Sequence, residues 1–138
     1  MKIIFKTSKV TIEGELNNSQ TSLKIYEKLP IEAKVNTWGD EIYFEIPVSL
    51  KPENATLDVE VGDIAYWPEG DCLCIFFGRT PVSKNNKPMP ASKVNIVGKV
   101  LGDVSILKNI ESGDKITVTR KELSIGGTAT IFLKPNKR

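Results

Sequence analysis

Few residues in this chain are equipped for covalent or acid–base chemistry, and their spacing narrows the choice further. The two thiols, Cys72 and Cys74, sit in "DCLCIFF". On an extended strand, positions i and i+2 share one face, with Cα atoms near the far limit of what a disulfide accepts, so a bridge would strain the backbone. Two ligands are too few for a structural zinc ion, and the pair reads as reduced thiols packed as small apolar residues. The 138 residues include no histidine. That removes the commonest general base and the commonest metal ligand, and with them Ser-His-Asp, Cys-His and imidazole–zinc centres. Asp40-Glu41 and Asp63 could supply an acid and a base, but Gly39 and Gly62 precede the two aspartates, and Gly-Asp pairs form tight turns. "GGT" at 126–128 lacks the following lysine and helix of a phosphate-binding loop. No catalytic residue, metal or cofactor is assigned on these grounds.

What remains is a chemistry of contact. In "GDIAYWPEGDCLCIFFGRTP" (62–81), Cys72, Cys74 and Phe76 lie on one face of a strand, and Leu73, Ile75 and Phe77 on the other. Both faces are apolar. A barrel has one interior, so the second face needs a helix, a loop or a ligand over it. Tyr66 and Trp67 also point to opposite faces, and an indole with its polar N–H suits the boundary between an apolar wall and water. The stretch is therefore expected to floor a groove for a small molecule or an extended peptide, rimmed by Arg79 and the 79–92 loop. A remnant of the same face could equally be a homodimer patch.

The elements that must position these residues are mostly strands. "KVTIEGEL" (9–16), "IEAKV" (31–35), "LDVEV" (57–61), "KVNIVGKVL" (93–101), "KITVTRKEL" (115–123) and "TATIFLK" (128–134) alternate apolar and polar residues or are rich in β-branched ones. "VGD", "PEGD", "LGD", "ESGD" and "IGG" supply the turns between them. "NNSQTSLKIYEKLP" predicts a short amphipathic helix that ends at Pro30 and covers part of the second apolar face. "VSILKNIESGD" predicts a weaker helical turn. Many short strands with regular turns predict an all-β barrel or sandwich, of which the barrel leaves no open edge. "RTPVSKNNKPMPAS" (79–92) is the longest stretch without periodicity.

Length and charge limit the function classes. The chain has the size of one domain, 1–138, with a single core. A net charge of +2 is too small for the field that nucleic acid or anionic lipid demands. "MKIIFK" is too short an apolar run for a signal peptide, and no stretch approaches the roughly 18 apolar residues of a membrane helix. The expectation is a soluble, cytoplasmic protein with no nucleic-acid or membrane partner.

Three segments, "TWGDEIYFEIPV" (37–48), "GDIAYWPEGDCLCIFFGRTP" (62–81) and "PASKVNIVGKVLGD" (90–103), resemble the signature segments of a small prokaryotic cyclophilin-like family. Together they span about a third of the chain. The resemblance implies a closed eight-stranded β-barrel with two short helices. Cyclophilins proper are peptidyl-prolyl isomerases, whose active site uses an arginine in a strand resembling "FHRxIP", a glutamine, a phenylalanine from "QFF", and a tryptophan and a histidine farther on. Aligning "YFEIP" with that strand puts Phe44 at the arginine, and aligning "CIFF" with the second puts Phe77 at the phenylalanine with Ile75 beside it. The alternation Ile42, Phe44, Ile46 instead makes Phe44 a core residue and Tyr43 the groove residue. The groove candidates are thus Tyr43, Phe44, Trp67, Ile75, Phe77 and Arg79. The small family implies no settled activity; the two-faced apolar strand, with the arginine and histidine missing, predicts a binding module without efficient isomerase activity, the alternative being a prolyl isomerase with an atypical site.

Overall fold

The computed structural model describes residues 1–121. Nine strands form one antiparallel sheet: β1 (Lys2–Lys6), β2 (Thr11–Leu16), β3 (Ile31–Lys34), β4 (Asn36–Thr37), β5 (Glu41–Glu45), β6 (Asp63–Trp67), β7 (Cys72–Phe76), β8 (Asn95–Leu101) and β9 (Lys115–Arg120). They are joined in the order β3-β9-β1-β2-β8-β6-β7-β5-β4. The two outermost strands, β3 and β4, are consecutive in the chain and separated only by Val35. The run 31–37 therefore pairs through its first half with β9 and through its second half with β5. Val35 itself is buried, donates to the Asp114 carbonyl (2.9 Å) and accepts from the Gly113 N–H (2.8 Å). The result is a nearly closed barrel. The expected eight strands become nine because this one bent run supplies two of them.

Alternation decides which side chains fill the barrel. Ile3, Phe5, Ile12, Leu16, Ile42, Phe44, Ile64, Tyr66, Leu73, Ile75, Val97, Ile116 and Val118 form one buried cluster. The helix α1 (Gln20–Lys28) begins at Ser19, whose hydroxyl accepts from the Ser22 N–H at 3.1 Å, as an N-cap should. It directs Ile25 and Leu29 into the same cluster. Tyr66 brings a hydroxyl to the margin of this apolar interior and satisfies it with the Val48 carbonyl, the Leu50 N–H and the Asp71 carboxylate. Burial and the neighbouring Asp71 push its pKa up to about 12, so it remains a neutral donor.

The outward faces of β6 and β7 carry a second, smaller cluster of Val59, Ala65, Cys72, Cys74, Phe76 and Val94, with Tyr43, Trp67 and Ile96 at its margin. This cover corrects two expectations. The helix does not lie over the second apolar face of β7, because its apolar side is needed by the barrel interior. The segment 57–61 is not a strand. It anchors Val59 in the outer cluster and leaves Leu57 and Val61 at 44% and 45% exposure, and the bridge beside it joins Thr56 to Val94. Its alternation reflects one buried residue on a crossing loop. The weak helical turn is a 3₁₀ helix at Val104–Asn109, capped by Asp103. The strand expected over 115–123 ends at Arg120, and the one expected over 128–134 lies outside the described residues.

Close packing of β2 on β8 requires a glycine at position 98, where an added Cβ would lie 2.2 Å from the Glu15 carbonyl oxygen. Gly102, at φ +110°, has open space around it and is held only by its backbone conformation. Gly98→Ala should cost about 3 kcal/mol and Gly102→Ala about 1 kcal/mol, compared by urea unfolding midpoints.

Candidate functional site

Where the outer cluster runs out, a cavity of about 220 Å³ opens. Trp38, Glu41, Tyr43, Trp67, Cys74, Pro90, Ala91 and Val94 line it. Glu41 and Tyr43 alternate with the interior residues Ile42 and Phe44 on β5, which turns both outward. Tyr43 lies opposite Cys74 across the β5–β7 ladder. Trp67 ends β6, and its ring meets Tyr43 edge-on, with centroids 6.5 Å apart and planes at 83°. The indole N–H donates to the Ser92 hydroxyl at 2.6 Å, which ties the ring to the far end of the 79–92 loop. Gly70 lies close under the same ring, since a Cβ there would come within 2.5 Å of it. The "PEGD" turn thus serves as a seat for the tryptophan.

Trp38 reaches the cavity from the turn that precedes β5. Its N–H donates to the Glu41 carbonyl at 2.9 Å, and Gly39 takes φ +61°. The Asp40 N–H donates to the Arg79 carbonyl (2.7 Å), and the Asp40 carbonyl accepts from the Phe77 N–H (2.8 Å). These bonds fix the turn against the exit of β7. The loop forming the opposite rim is also tied down. Thr80 donates to the Met89 carbonyl at 2.6 Å, and Lys87 pairs with Asp58 and Glu60.

Glu41 is the chemically unusual member of the lining. It is only 6% exposed, and among the described residues no lysine or arginine forms an ion pair with it. Burial disfavours its charged form and raises its pKa to about 7, an effect that hydrogen bonding with the Cys74 thiol offsets only in part. Burial and the adjacent Glu41 push the Cys74 thiol well above its ordinary value, and burial takes Cys72 up to about 11. Neither thiol is a nucleophile at neutral pH. Asp63 provides the contrast: it is buried too, but accepts from the Glu60 N–H (2.8 Å) and pairs with Lys99 (3.0 Å), which makes it part of a turn.

Of the six residues singled out by sequence, the structure brings Tyr43 and Trp67 to this cavity. Phe44, Ile75 and Phe77 belong to the barrel interior, as the alternation of β5 and β7 requires, and do not line it. Arg79 is exposed, donates to the Ser83 carbonyl at 3.2 Å and is not part of the lining. Sequence reasoning missed Trp38, and it weighed Glu41 with Asp40 as a possible acid or base but not as part of a groove. The signal for Glu41 was its parity with Tyr43; Trp38 had none, because it stands outside any alternating run.

The nearly closed antiparallel barrel, with two helices among the described residues, is the architecture that the resemblance implied. The chain belongs to the family described as Cyclophilin-like, which matches residues 1–119. The hypothetical protein AF2241 from Archaeoglobus fulgidus, known from a solution structure, is 36% identical; the match covers 88% of this chain and 95% of that one, with a TM-score of 0.75. McbB, solved in complex with tryptophan, shares the fold at 15% identity and a TM-score of 0.67, and this chain spans about half of its length (99% and 50% covered). No curated protein matches the sequence.

Glu41 should leave a signature in stability. The carboxyl titrates near 4.5 when unfolded and near 7 when folded, so between these values the folded state holds the extra proton. Stability contributed by this group is therefore full below about pH 4.5 and falls as pH rises toward 7, by about 3 kcal/mol in all. Relative to the wild type, Glu41→Gln should gain about that much between pH 4.5 and 8 in urea unfolding. A constant difference across this range would mean that Glu41 is not desolvated.

Proposed function

We propose that this protein is a binding module whose outer cavity takes a small molecule, or one side chain of an extended peptide. Trp38, Tyr43 and Trp67 are the ring contacts and Glu41 the polar one. The observation that carries this reading is the set of three half-buried aromatic rings around one buried carboxylate that has no ion-pair partner among the described residues. Ligand sites are apolar, aromatic-lined hollows with a few placed polar groups. At about 220 Å³ the cavity is below the roughly 300 to 1,000 Å³ of sites for drug-sized ligands, which suits an occupant of one or two rings.

Prolyl isomerisation, the alternative that the family resemblance raises, is less well supported. A polarising cation over the prolyl amide is the feature of cyclophilins proper, and Arg79 instead bonds the Ser83 carbonyl outside the lining. Binding without isomerisation is the preferred reading.

The test is an NMR titration of labelled protein with indole and, separately, with an Ala-Pro peptide. Indole should shift the side-chain N–H signals of Trp38 and Trp67, while the peptide's cis–trans exchange stays at the uncatalysed tens of seconds. Faster exchange without any effect of indole would reverse the assignment. Trp67→Ala should weaken indole binding at least tenfold and cost less than the roughly 3 to 5 kcal/mol of an interior aromatic deletion such as Phe44→Ala.

A further inference from the structure

We infer that the cavity selects organic ammonium ions, with Glu41 as the counter-ion and Trp38, Tyr43 and Trp67 as the aromatic walls. The inference rests on the binding reading above and adds the chemical class of the ligand.

Three features of the lining lead to it. A carboxylate removed from water is costly unless it is paired, and the described residues supply no cation for Glu41. The cavity is the place from which a partner can come. Three aromatic rings, two of them indoles, line the cavity, and an aromatic face attracts a cation within about 6 Å of its centroid, tryptophan most strongly. The remaining lining residues, Cys74, Pro90, Ala91 and Val94, contribute no charged side chain to compete.

Other ligand classes fit less well. An anion would meet Glu41 with no positive group to offset it. A neutral apolar molecule would cover the carboxyl and force it to keep its proton. An ammonium ion answers both the carboxylate and the rings. Its methyl or methylene groups pack on the apolar wall while the charge faces Glu41.

The titratable groups around Glu41 do not alter this balance. Tyr43 and Glu45 share its strand, Cys72 and Cys74 stand on β7, and Asp40 precedes β5 in the turn. None is cationic. Lys93, on the segment that carries Pro90, Ala91 and Val94, is exposed. Cation binding requires Glu41 ionised, so affinity should rise with pH up to about 7 and level off above it.

The test pairs cations with neutral molecules of matching shape: choline with 3,3-dimethylbutan-1-ol, and 2-phenylethylammonium with 2-phenylethanol. Each is titrated into labelled protein at pH 5.5 and pH 8, following the Trp38, Tyr43 and Trp67 signals. At pH 8 at least one cation should bind at least tenfold more tightly than its neutral partner. Its affinity should fall at least fivefold at pH 5.5, and Glu41→Gln should remove both differences. A variant whose spectrum shows a folded barrel but whose cation preference is unchanged would overturn the role of Glu41. Equal binding of cation and neutral partner would overturn the ammonium assignment and leave the binding-module reading standing. No shift at the cavity with any of the four probes would overturn the ammonium assignment, and the indole titration would then decide the wider reading separately.

Discussion

The five side chains of β7, Cys72 to Phe76, are all buried, although a barrel strand has only one interior. Leu73 and Ile75 are covered by the barrel itself. Cys72, Cys74 and Phe76 must be covered from outside, and the chain does this with Val59 and Val94, carried on segments that cross the sheet. Burying an apolar side chain fully is worth about 1.5 to 3 kcal/mol, so leaving this outer face uncovered would be costly. The demand for outer cover explains why 46–62 and 77–94 are long and poor in regular structure. The cavity is the remaining gap, where Tyr43, Trp67 and Trp38 close over the edge of the cover without filling it.

The same burial sets the electrostatics. Among the described residues two carboxylates, Glu41 and Asp63, are buried, and they differ in their partners. Asp63 has a lysine and a backbone N–H, so its charge is answered within the chain. Glu41 has no comparable partner among the described residues, and burial, which the Cys74 thiol offsets only in part, leaves its carboxyl poised between its two protonation states near neutral pH. Cys74 is correspondingly held as a neutral, inert group, which answers the question raised by a thiol pair at i and i+2.

Most of the architecture was legible because period-two alternation directly reports which face of a strand is wet. β2, β3, β8 and β9 could be read in this way, and the two-faced apolar run of β7 correctly signalled a second layer. Alternation misled at 57–61, where a single buried valine between polar neighbours looks like a strand without a partner to pair with. The site was less legible. Tyr43 and Trp67 stood out by parity and by type, whereas aligning text against a distant motif favoured Phe44, Ile75 and Phe77, which the pleat turns inward. Trp38 comes from a turn and Pro90 and Ala91 from an aperiodic loop, and only three-dimensional closure brings them together.

The bent run at 31–37 has a consequence for how the molecule is assembled. Its second half finds β5 a few residues downstream, but its first half must wait for β9, some eighty residues later, as must the free side of β1. A chain emerging from the ribosome therefore carries an open seam, with unpaired backbone on β3 and β1, until residue 120 has been made. Closure of the barrel waits for β9, and until then the seam is the region that the growing chain exposes to neighbours.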